Sequence, residues 1–82
     1  MSSATSAANA VANAQDPFQL GMMYSTGSQQ PADMVAAHKW FNIAAIFGNA
    51  EAARLRREIA EEMSHAEIAA AQRAARDWMT RH

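Results

Sequence analysis

The chain of 82 residues contains no cysteine, two prolines, three glycines and six aromatic side chains. Without cysteine there is no disulfide framework, no thiolate metal site and no thiol nucleophile. No apolar run approaches the ~20 residues needed to cross a bilayer. Residues 1–15 lack the basic start and apolar stretch of a secretory signal. Neither sign of charge dominates: seven Lys and Arg against eight Asp and Glu leave a net charge of −1. Bulk electrostatics therefore favour neither nucleic acid nor an acidic membrane. The expectation is a soluble, cytoplasmic domain without membrane contact.

Large apolar side chains are scarce as well. Half of the residues are hydrophobic, but 21 of them are alanine and six are Met, and Val, Ile, Leu and Phe together number only 11. A chain of this size buries about 60% of the surface its unfolded form exposes, so the core must be thin. The low net charge keeps the composition within the range that folds.

Residues 1–15 are mainly Ala, Ser, Asn and Thr with no apolar period, which reads as a disordered N-terminal tail. The folded domain is expected over 16–82. Asp16-Pro17 is a helix start, with Pro at the first helical position after an Asp cap. A first helix from Pro17 to about Ser25 ends at Gly27, and Gly21 in its middle implies the close approach of another helix. A second helix from Pro31–Asp33 to Phe47 is capped by Gly48. Between Trp40 and Phe47 only Asn42 is strongly polar, so this helix is expected to be buried on more than one side.

The third helix, Ala50 to about Met63, carries Ala52, Leu55, Ile59 and Met63 on one face. Arg54 with Glu58 and Arg57 with Glu61 stand at ion-pair spacing on the other. Ser64 and Glu67 form a capping box that opens a fourth helix, whose apolar stripe is Ile68, Ala71, Ala75 and Trp78. No strand signal occurs. The fold class is all-α, four helices arranged as antiparallel helical hairpins over 17–49 and 50–82.

Ala37-His38-Lys39-Trp40 recurs as Ala75-Arg76-Asp77-Trp78 after 38 residues, a spacing within the range of helical-hairpin repeats. The first hairpin carries Leu20-Gly21, Tyr24, Gly27, Asp33, Ala37, Trp40-Phe41, Ala44-Ala45, Gly48 and Ala52. This set resembles the Sel-one-like repeat (SLR) family, relatives of the tetratricopeptide (TPR) repeats, in residues and in spacing from 20 to 52. It departs from the family at Gln29-Gln30, where Gly-Val is usual, and at Asp16. Residues 50–82 resemble a degenerate or capping second unit, as in small bacterial single-repeat members. The resemblance implies a TPR/SLR-like superhelix fragment that serves as a protein-interaction scaffold and has no chemistry of its own.

The residues themselves offer little catalytic material. His38, His65 and His82 have no converging ligand set for a metal, although His65 could pair with Glu61. Glu58, Glu61, Glu62 and Asp77 are interleaved with Arg on a solvated face. No phosphate loop, nucleophile triad or cofactor fingerprint is present. The expectation is a non-enzyme with no cofactor. Six arginines sit on the last two helices, yet from Lys39 onward seven basic residues meet six acidic ones. A helical nucleic-acid-binding regulator using those arginines is thus the alternative reading.

The preferred reading is an adaptor that binds a partner protein. Methionine is adaptable and over-used on binding surfaces, and Phe18, Met22 and Met23 cannot all face one neighbour on a short helix. They are candidate lining residues of a partner groove, with Trp78 a candidate contact of a partner or of a second copy in a homodimer.

Overall fold

The computed structural model describes residues 16–28 and 30–81, and the expected tail at 1–15 lies outside them. The described residues form four α-helices and no strand: α1 (Pro17–Thr26), α2 (Met34–Ile46), α3 (Ala50–Ala60) and α4 (His65–Arg81). Each helix starts where a side chain satisfies a free N–H. The carboxylates of Asp16 and Asp33 accept from the Phe18 and Ala36 amides, both at 3.1 Å, and Asn49 Oδ1 accepts from the Ala52 amide at 2.9 Å. The capping box forms in both directions: the Ser64 amide donates to Glu67 at 2.8 Å and the Glu67 amide to Ser64 Oγ at 3.1 Å. Such caps contribute ~1 kcal/mol each, which matters in helices this short.

The ends are equally local. Gly27 and Gly48 have φ of 71° and 106°, in the region L side chains avoid. After α2, the Gly48 amide donates to the Ala45 carbonyl and the Asn49 amide to the Ala44 carbonyl, both at 3.0 Å. This is the Schellman pattern, and it turns the chain directly into α3. The third helix is shorter than its apolar spacing predicts. It ends at Ala60, and the amides of Glu61, Glu62 and Met63 each reach back only three residues. That tighter winding frees the chain for the Ser64 cap. Neither Arg57 nor His65 forms an ion pair with Glu61 among the described residues. Met63 nevertheless reaches the core, 9% exposed.

Helix α2 packs against α1, α3 and α4 alike. Ala37, Phe41 and Ala44 of α2 and Ala52 of α3 form the central cluster, with Phe18, Met22 and Tyr24 of α1 and Leu55 and Ile59 of α3 packed on it. Phe18 meets Phe41 with ring centroids 5.9 Å apart, whereas the Asp33 amide donates to the Tyr24 carbonyl. As α1 advances α2 retreats, so the two run antiparallel. Fully buried alanines at 37, 52, 71 and 75 let the helices approach closely. The fourth helix is joined to α2 by Trp40 and Trp78, edge to face with centroids 5.4 Å apart.

Gly21 is the tightest point. A Cβ there would lie 2.5 Å from Cδ1 and Cε1 of Phe41. Alanine favours helix over glycine by about 1 kcal/mol, but Phe41 is 1% exposed and its ring has no room to retreat. The clash should prevail. Gly21→Ala is expected to cost ~1–3 kcal/mol, read as a lower urea midpoint with an unchanged slope. An equal or higher midpoint would mean that the helices do not cross here. Trp78→Ala should cost close to the lower end of the ~3–5 kcal/mol typical of aromatic truncation, because Trp78 is half-buried. A thermal melt matching the parent would show that Trp78 does not hold α4 to α2.

Candidate interaction surface

Covering α2 on three sides leaves its C-terminal end bare. Ile46 is 57% and Phe47 63% exposed, the two large hydrophobic side chains most open to water among the described residues. Ile46 also lines a cleft of about 460 Å³ between α2 and α4, together with Asn42, Gln72, Arg76, Met79 and Thr80. Its walls mix apolar and hydrogen-bonding groups, and none of the lining residues is a carboxylate.

The floor of this region is tied to α3. Arg56 Nη1 donates to Asn42 Oδ1 at 2.6 Å, a bond between residues 14 apart that fixes how α3 lies along α2. One turn before Asn42, His38 is 3% exposed, and its Nδ1 has no hydrogen-bond partner among the described residues. Burial, and then the positive charge of Arg56, hold the His38 pKa below the usual histidine value. A second cation so close to Arg56 would be costly, so the fold favours the neutral ring.

The other arginines divide into engaged and free. Arg54 is held by Glu51 and Glu58 along the exposed face of α3, and its guanidinium keeps the Glu51 carboxyl below the ordinary range. Asp77 and Arg81 pair at 3.3 Å on α4. Arg73 and Arg76 form no ion pair among the described residues.

Phe18 and Met22 pack against the central cluster. Met23, the next residue, points about 100° further round α1 and is half-buried. Trp78 packs on Trp40. Since Trp40 and Phe41 are consecutive on α2, the Trp78 contact and the Phe18 contact lie on different faces of that helix. Of the residues in the repeat-like pattern, Gly21, Ala37, Phe41 and Ala44 are buried, while Leu20, Tyr24, Trp40 and Ala45 are half-buried. Phe41 packs on Gly21 at the α1–α2 crossing and shares the central cluster with Ala37. Sequence reasoning did not single out Ile46, Phe47 or the Arg56–Asn42 bond. Uninterrupted apolarity from Ile43 to Phe47 was the available signal, but it does not say which flank remains bare.

Among the described residues no group of His, Cys, Asp and Glu is arranged to hold a metal, and no helix is long and apolar enough to cross a membrane.

The state of His38 links stability to pH. With its pKa lower in the fold, the unfolded chain takes up the proton first as pH falls. Stability should be complete above the unfolded value of about 6.5 and decline below it, levelling off under the folded value. The urea midpoint should therefore drop between about pH 7.5 and about pH 5.5, and His38→Gln should flatten that slope. A parent chain with no slope in this interval would mean that His38 is not buried as described.

Matched against known protein families, curated proteins and solved structures, the chain finds no counterpart.

Proposed function

We propose that this chain is a non-enzymatic, cytoplasmic protein-interaction module whose partner docks on Ile46, Phe47 and the adjoining α2–α4 cleft. The observation that carries this reading is the exposure of two large hydrophobic side chains at the end of an otherwise buried helix. Scattered apolar residues are normal on a surface, but Ile46 lines the α2–α4 cleft together with Met79, and Phe47 follows it directly in the chain. Aromatic and Met side chains around a concave site are the usual composition of interface cores. On this reading α1–α2 is one Sel-one-like hairpin and α3–α4 a capping unit. The seating of Phe41 against Gly21 supports that assignment, since the family pattern places glycine and an aromatic residue at those two positions.

The partner is assigned to the end of α2 rather than to Phe18, Met22 and Met23, because Phe18 and Met22 are occupied in the α1–α2 seam. The nucleic-acid alternative is weakened by Arg54, Arg56 and Arg81, each of which already has a partner within the chain.

Ile46→Ser and Phe47→Ser should leave stability within about ±0.5 kcal/mol, as exposed substitutions do. A photo-crosslinking residue at position 47 should give a discrete heavier adduct in the native host. The same residue at exposed Gln19 on α1 should give none. Adducts at position 19 but not 47 would move the surface elsewhere.

A further inference from the structure

We infer that the partner segment is an acidic amphipathic helix, with apolar side chains on Ile46, Phe47 and Met79 and carboxylates on Arg76 and Arg73. This rests on the interaction reading of the same surface. The cleft lies between α2 and α4, and a furrow between two helices receives a third by its apolar stripe. Arg76 and Thr80 line both this cleft and the shallow outer face of α4, which carries Arg73 and Asp77 together with Ala70 and Ala74. The two alanines keep that face low, so a helix seated in the cleft can lie against it.

Charge decides what such a helix carries. The cleft has one cation, Arg76, and no carboxylate among its lining residues, and Arg56 stands behind Asn42. Asp77, the nearest acid on α4, pairs with Arg81. Arg73 and Arg76 therefore form no ion pair among the described residues, and Arg76 stands in the cleft beside Ile46 and Met79. A basic partner would meet like charge, whereas an acidic one completes the pairing and is steered to the site.

A second copy of the chain fits less well. Its exposed acids Glu61 and Glu62 follow α3, at the end of the molecule away from Ile46 and Met79. Pairing them with Arg73 and Arg76 of a neighbour would need an antiparallel two-fold dimer, which sets the Ile46 and Met79 end of each copy against the acidic end of the other and leaves the apolar groups facing charge.

The test uses the full chain and a fluorescent helical peptide with leucines at i, i+3, i+4 and i+7 and glutamates elsewhere. Its counterpart has every glutamate replaced by lysine. The acidic peptide should bind at least about tenfold more tightly than the lysine peptide, with an affinity that falls as salt rises. Arg76→Glu should weaken the acidic peptide by about tenfold and strengthen the lysine peptide, and Ile46→Ser should weaken both. Equal affinity for the two peptides, or binding of neither at millimolar concentration, would overturn the acidic assignment. If crosslinks from position 47 persist in that case, the interaction surface stands and only its charge preference fails. Two further results would also overturn it: salt-sensitive binding of mixed-sequence DNA unaffected by Ile46→Ser, and a dimer in sedimentation that Ile46→Ser disperses.

Discussion

Phe41 seated where Gly21 has no side chain is the contact on which the arrangement depends. The ring is 1% exposed and would sit 2.5 Å from any Cβ at position 21, so α1 lies as close to α2 as the backbone allows. That closeness lets a helix of ten residues cover its share of α2 despite having few large side chains. It also fixes the rotation of α2, and with it which residues face α3 and α4. Ala37 and Ala44 turn towards α1 and α3, and Trp40 towards Trp78. Ile46 and Phe47 are carried past the last available neighbour.

A thin core and an exposed end are consequences of one shortage. With only 11 Val, Ile, Leu and Phe residues in the chain, close approach of alanine faces replaces bulk, and the packed alanines at 37, 52, 71 and 75 are almost wholly buried. Three helices built in this way cover α2 as far as Ala44 but leave Ile46 and the following Phe47 exposed. Among the described residues Ile46 and Phe47 then remain in water, where burying each would favour association by roughly 1.5–3 kcal/mol. In a domain so poorly supplied with large apolar groups, leaving two outside is a considerable fraction of what could have stabilised the fold. A partner that covers them recovers this contribution.

Local chemistry was legible in the sequence because it needs only a few neighbouring residues. Asp16-Pro17, the Ser64–Glu67 box and the glycines at 27 and 48 each fix a helix end through contacts within five residues, and the structure places all of them as expected. The apolar run of α2 likewise announced a central helix. The end of α3 was less legible, since a continuing apolar stripe masks the tighter turn through which Met63 still reaches the core. That α2 is only partly covered and His38 at least partly buried could be read from the apolar helix around them, but not which flank stays bare or how deep His38 lies. Both depend on how α3 and α4 cross α2, which Arg56–Asn42 and Trp40–Trp78 decide across gaps of 14 and 38 residues. No spacing rule reaches that far.

The most direct test is solvent mapping of the isoleucine methyl groups by NMR with a soluble gadolinium chelate. Ile43 is fully buried and Ile46 is 57% exposed, although they lie three residues apart on one helix. The account predicts strong relaxation of the Ile46 methyl signals and none of Ile43 in the isolated chain, with Ile46 becoming protected when a partner is added. An Ile46 signal as protected as that of Ile43 in the isolated chain would contradict it, because the end of α2 would then already be covered.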